Sequence, residues 1–171
     1  WLYACAMVVS YHYLDVEIRK GILSLRQIRL YMLSVPLFVL SMLVAVFANN
    51  VGLLWVALEA TTLSTTMLVS FYGKKSSMEA AWKYIMLCST GLALGLFGIL
   101  FLGYAGSVAG LHEAEVFRIN FLSDVAPSMN PGIVMWAFVF LFIGFGTKIG
   151  LVPMHTWLPD AHSKTPAPVS A

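Results

Sequence analysis

Lys148 stands inside an apolar run and is followed at once by a polar, interrupted segment: Gly146-Thr147-Lys148-Ile149-Gly150-Leu151-Val152-Pro153-Met154-His155-Thr156-Trp157-Leu158-Pro159-Asp160-Ala161-His162. A charged side chain in hydrocarbon is costly, and irregular backbone at membrane depth survives only where protein or water satisfies it. An ion path meets both conditions. Gly144, Gly146 and Gly150 thin the side-chain cover around the lysine, and Pro153, which has no backbone N–H, predicts a kink or break just past it. Carbonyls freed at such a break can draw in water, and partial desolvation then tunes how readily the lysine exchanges its proton. The plainer reading is an ammonium snorkelling toward the headgroups.

Glu59 is the one charge in the run 51–73. Counted from Val51, it lies about 12 Å along a helix, near the middle of a membrane. A carboxyl at that depth holds a proton or pairs with a cation, so a neighbouring charge can switch its occupancy. Alternatively it ties two helices together through hydrogen bonds. Thr61, Thr62, Ser64, Thr65 and Thr66 follow within two turns. They could bond back to helix carbonyls or line a hydrated path, and for most of them easing helix packing is the expected use. Lys83 follows Glu79 at the i, i+4 spacing of an ion pair, which explains it as well as a relay does. Histidine is the side-chain type that changes charge near neutral pH, so His155 and His162 could carry protons toward Lys148, or could cap or hydrogen-bond the broken segment. Their seven-residue separation across Pro159 does not suit a metal.

Composition says that the surroundings are a bilayer. Of 171 residues 60% are hydrophobic and only 11% charged, and mean hydropathy is +0.84, whereas soluble domains carry roughly 25% charge. A net charge of +2, with no basic block beside the aromatics, argues against a nucleic-acid partner. Cys5 and Cys88 lack the spacing of a disulfide framework or a metal site and are expected to be buried small hydrophobes. The glycines at 91, 95 and 98 read as helix-packing residues, because no phosphate-cradling loop surrounds them. Neither a catalytic triad or paired carboxylates nor haem-ligating histidine pairs can be made from these spacings.

Apolar stretches predict an all-α, polytopic helical membrane domain with spans at about 1–14, 30–48, 51–73, 79–105 and 132–152 and the start of another from about 166. The chain lacks an initiator Met and reads as a fragment of a longer protein. Alternating sides put Arg19, Lys20, Arg26, Arg29, Lys74, Lys75 and Lys83 on one face, and Arg118 with Glu113, Glu115 and Asp124 on the other. The positive-inside rule makes the first face cytoplasmic, so loops 15–29 and 74–78 and the C-terminal stretch are expected inside and 106–131 outside. A short strand or helix around 112–122 is expected in that outer connection.

Three strings together resemble a known family: Asn50-Val51-Gly52-Leu53-Leu54-Trp55-Val56-Ala57-Leu58-Glu59-Ala60-Thr61-Thr62, then Glu79-Ala80-Ala81-Trp82-Lys83-Tyr84, then Lys148 through His162 with Pro166-Ala167-Pro168-Val169-Ser170-Ala171. They are similar to the antiporter-like proton-pumping subunits of respiratory complex I, Mrp cation/proton antiporters and energy-converting membrane-bound NiFe hydrogenases. The Glu59 and Lys83 neighbourhoods look most like the hydrogenase-4 component F branch.

The resemblance implies about fourteen helices in the whole protein, arranged as two inverted five-helix repeats each with a broken helix, of which this chain would hold most of the first. It also implies a hydrated axis containing Glu59, Lys148, His155 and His162, with further members beyond Ala171. The expected function is proton translocation in the inner membrane within a redox-driven respiratory or hydrogenase complex. Partners would be other membrane subunits, the bilayer and protons, with Na⁺ the alternative cargo of an Mrp-type antiporter. No cofactor of its own is expected, the electron chemistry belonging to partner subunits. A non-conducting scaffold for a peripheral enzyme is the rival from another class. On the pumping reading Glu59 and Lys148 form a switchable ion pair.

Overall fold

Several helices begin or end where a side chain or a glycine closes them. The computed structural model describes residues 2–170. In order they form α1 (Leu2–Arg19), α2 (Leu25–Phe47), α3 (Val51–Val69), α4 (Lys75–Val108), α5 (Ile119–Val125) with a 3-10 turn at Ala126–Ser128, α6 (Pro131–Ile149), α7 (Trp157–Lys164) and α8 (Ala167–Ser170). Trp1 and Ala171 lie outside the described residues. Four helices, α2, α3, α4 and α6, are long and apolar enough to cross a membrane. The chain is therefore a multi-pass membrane protein.

α1, α2 and α4 outrun the apolar stretches that predict them, whereas α3 and α6 stop short, at Val69 and Ile149. Within the connection read as 15–29, Arg19 pairs with Asp15 at 2.9 Å, one turn back, and carries α1 through its end. Ser24 and Gln27 form a capping box, the Gln27 side chain accepting the Ser24 N–H at 2.8 Å, which starts α2 at Leu25. Asn50 takes the N–H groups of Gly52 and Leu53 at 2.8 and 3.0 Å, so α2 and α3 turn within three residues and pack as antiparallel neighbours. Asn130 does the same for α6, with Pro131 at the first helical position.

The 106–131 connection, expected to hold a strand or helix near 112–122, holds α5 slightly later and folds back onto the start of α3. The Val51 N–H donates to the Phe117 carbonyl at 2.8 Å, and Asn50 and Arg118 form an isolated bridge.

α4 is the central helix and lies against α3, α6 and α7. Its seam with α6 is built from small residues: a Cβ added to Gly144 would fall 2.5 Å from the Gly95 Cα, and one added to Gly91 would fall 2.6 Å from the Thr147 Cβ. Where lipid is as apolar as leucine, close backbone approach is what holds two helices together.

α1 rests on α8 and reaches the α2–α3 pair through Leu14, packed with Tyr31, Leu68 and Phe71, and through a 2.6 Å hydrogen bond between Ser10 and Tyr31. Cys88 is buried as expected, but Cys5 is exposed, because it lines a wide open cavity between α1 and α2.

Candidate functional site

Helical side chains lean toward the N-terminus, so a lysine in the last turn of α6 reaches back up its own helix and across to its neighbours. Lys148 Nζ donates to Thr62 Oγ1 on α3 and to the Tyr84 hydroxyl on α4, both at 2.9 Å. The ammonium also lies 5.3 Å from the centroid of the Tyr84 ring. Since a charged lysine has no lone pair, the Tyr84 oxygen must accept, which leaves its own hydrogen for Thr65 Oγ1, 2.7 Å away. Thr65 in turn donates to the Thr61 carbonyl, one turn back on α3. Thr62 donates to the Leu58 carbonyl at 3.1 Å. The lysine is thus held by neutral hydroxyls.

Glu59 lies one turn before Thr62 on α3. Its Oε1 accepts from the Ser89 hydroxyl of α4 at 2.7 Å, while Oε2 is buried with no partner. A buried carboxyl oxygen in that state calls for a proton or a donor such as water. Glu59 and Lys148 do not pair directly; the ion pairs among the described residues are Arg19–Asp15, Lys83–Glu79 and Lys83–Asp160. The ion pair expected between Glu59 and Lys148 is thus not formed in this structure.

Lys83 faces outward, its side chain 48% exposed, and bridges Glu79 at 2.9 Å and Asp160 at 3.0 Å. It therefore ties α4 to α7 at the rim and takes no part in the hydrogen bonds around Lys148.

The break comes at Gly150, three residues ahead of Pro153. Gly150 adopts a left-handed conformation, φ 85°, and the N–H groups of Gly150 and Leu151 both close on the Gly146 carbonyl at 2.9 Å. Trp157 then folds the segment back: its indole N–H donates to the Thr147 carbonyl at 2.9 Å and its ring packs on Tyr84 at 5.0 Å between centroids.

His155 is half-buried with Nδ1 enclosed and unpartnered. His162 is exposed and shares a 2.8 Å hydrogen bond with the Ser170 hydroxyl through Nδ1. Neither histidine contacts Lys148 by a hydrogen bond among the described residues.

Residues 48–171 match the family described as NADH:quinone oxidoreductase/Mrp antiporter, TM. The chain belongs to this family. Over 163 residues, 95% of its length, the chain is 41% identical to the hydrogenase-4 component F homolog of Methylacidiphilum infernorum, covering 34% of that protein. It is 38% identical to NADH-quinone oxidoreductase subunit N of Desulforudis audaxviator over 69% of the chain and 22% of that subunit. Among solved structures, respiratory complex I from Thermus thermophilus matches with a TM-score of 0.67 and 26% identity over 82% of the chain and 29% of the matched one. The archaeal membrane-bound sulfane sulfur reductase matches in fold with a TM-score of 0.73 at 24% identity, over 82% of the chain and 27% of the other. The chain spans about a third or less of the length of these relatives. It shares their antiporter-like helical fold, as the three strings implied.

In the sequence of this antiporter-family chain, Thr62 and Thr65 read mainly as packing residues, Tyr84 stands out only within a resemblance, and Ser89 does not stand out. The signal is present for two of them: Glu59, Thr62 and Thr65 recur at i, i+3 and make one polar stripe along α3. Tyr84 and Ser89 carry no such pattern in their own helix, and only the packing of α4 on α3 and α6 brings them to the stripe.

Proposed function

We propose that this chain forms part of a proton-translocating membrane subunit of a redox-driven complex, of the hydrogenase or NADH:quinone oxidoreductase type, in the inner membrane. The observation that carries the proposal is the setting of Lys148: an ammonium beside a helix break, bound by two hydroxyls with no carboxylate in contact. A carboxylate at 4 Å would attract it by about 4 kcal/mol at an effective dielectric of 20 and would fix the proton in place. Hydroxyls solvate the charge and leave it free to move.

Glu59, one turn toward the outer side, is the next proton-holding group, and its unpartnered Oε2 is where the proton binds. Lowering the Lys148–Glu59 separation favours the charged pair, and raising it favours the neutral forms, so a push from a redox-active partner subunit is converted into proton movement. His155 and His162 serve the inner side of the break. Lys83 stays a rim residue whose two carboxylate partners hold α7 against α4. The basic loops around 15–29 and 74–78 lie on the cytoplasmic side. Other membrane subunits of the complex cover the lipid-facing helices and supply the electron chemistry.

The test replaces Lys148 by Met in the full-length protein within its complex, assembled in membrane vesicles. Coupled proton transport falls by about a hundredfold or more, as expected when a positioned proton-transfer group is removed, while subunit assembly persists. Undiminished transport overturns the proposal.

A further inference from the structure

A small cavity of about 80 Å³, room for a few waters, opens between α3, α7 and α8. Its polar lining is Thr65, His162, Thr165 and Ser170. Thr65 is also the far end of the hydroxyl series that starts at Lys148. We propose that Tyr84 and Thr65 form the proton conduit between Lys148 and the cavity at His162, with the Thr65 hydroxyl as its gate and water in the cavity as the carrier. The inference rests on the proton-translocating reading and specifies the route by which Lys148 exchanges with the side of the break.

Three donors in sequence point the same way: Lys148 to Tyr84, Tyr84 to Thr65, and Thr65 to the Thr61 carbonyl. Only the last is aimed at backbone instead of at the cavity. When Thr65 turns its hydroxyl from Thr61 toward the cavity, the series is continuous. A proton then leaves the Lys148 nitrogen for the Tyr84 oxygen as the Tyr84 O–H bond breaks and that hydrogen binds Thr65 Oγ1. Thr65 releases its former hydroxyl proton to water, and water passes a proton to the His162 imidazole. One N–H bond is lost at Lys148 and one is gained at His162, and both hydroxyls end neutral. Delivery to Lys148 is the reverse.

Thr65 makes no hydrogen bond to Lys148, which separates the conduit from a mere support for the lysine. The two share a side-chain hydrogen-bond partner only in Tyr84, itself buried and packed on Trp157; the 3.3 Å approach of Thr65 to Thr62 is to the backbone carbonyl. Thr61, Ser64 and Thr66 also bond back to carbonyls one turn away but reach no other side chain, so they are helix-internal contacts without a place in the conduit.

The experiment measures protons translocated per electron in vesicles carrying the full-length complex, with Thr65→Val, Thr65→Ser, Tyr84→Phe and Lys148→Met compared at matched assembly. Thr65→Val and Tyr84→Phe lower translocation about tenfold or more, while Thr65→Ser, which keeps the hydroxyl, retains it. Native translocation in Thr65→Val with loss in Lys148→Met overturns the conduit and leaves the proton-translocating reading standing. Native translocation in all four overturns both. Loss in Tyr84→Phe with native Thr65→Val also overturns the conduit, because Tyr84 is then only a positioning residue for Lys148. Valine matches threonine in volume, so if Tyr84→Phe fails to assemble, the two Thr65 variants decide the question.

Discussion

At the residue scale the decisive contrast lies between a lysine held by a carboxylate and one held by hydroxyls. Each hydrogen bond from an ammonium to a neutral acceptor contributes about 1.5–3 kcal/mol, enough to place Lys148 but too little to trap its charge. Thr62 and Tyr84 supply two such bonds. Replacing Thr62 by Val removes one of them at constant volume and leaves Tyr84 in place. Translocation by the full-length protein is then slowed about tenfold, less than in Lys148→Met, as follows from losing the weaker end of that energy range. An unchanged rate would show that Tyr84 alone places the lysine. The identities of Glu59 and Lys148 are legible in the sequence, since an ionisable residue in an apolar run stands out. Their partners are not, because a threonine that solvates a lysine looks the same in sequence as one bonded only to its own helix.

At the scale of elements, the glycine seam between α4 and α6 sets where Lys148 points. Gly91 receives Thr147, Gly95 receives Gly144 and Gly98 receives Leu141, so the last turn of α6 is pressed against α4 beside Tyr84. Gly144→Val forces a side chain into a 2.5 Å gap against backbone, which cannot yield as a flexible side chain could. Overpacking of this kind costs about 1–3 kcal/mol, so thermal unfolding in detergent shifts to lower temperature and Lys148-dependent transport fails with it. Gly146→Ala is the control: its nearest neighbour is the Leu151 side chain at 3.2 Å, which can move aside, so stability is nearly retained. Equal stability of Gly144→Val and native protein would contradict the role given to the seam.

The apolar runs make the spanning helices readable, and the glycines at 91, 95 and 98 are readable as packing residues. Helix ends are less so. The Ser24 and Gln27 capping box and the Asp15–Arg19 pair work through individual hydrogen bonds and lengthen helices into polar sequence. The break past Lys148 is where the sequence predicts one, but Gly150 makes it ahead of Pro153. α7 is hidden because Pro159 looks like a breaker, yet it falls in the first turn, where no N–H is needed.

At the scale of the whole molecule, polar groups are ordered along the bundle against an apolar exterior. The series runs from the cavity at His162 through Thr65 and Tyr84 to Lys148 and Thr62, and one turn further on α3 it reaches Glu59 with Ser89. Between Lys148 and Glu59 the structure shows no hydrogen-bonded link, so on the proposed reading this is the step that a change in the complex would open and close. The outer helix faces carry large apolar side chains such as Phe47, 81% exposed, and Val46, 78% exposed, surfaces that suit lipid and neighbouring membrane subunits.

Because the chain spans a third or less of its relatives, the coupling proposed for it is tested on the full-length protein in the proposed complex. The measurement that tests the central claim is the number of protons translocated per electron in vesicles carrying that complex, native against Glu59→Gln at matched assembly. Glutamine keeps the shape and an acceptor for Ser89 but cannot take up and release a proton. Protons per electron fall toward zero if charge passes between Lys148 and Glu59; a native ratio would make Glu59 a packing residue and contradict the account.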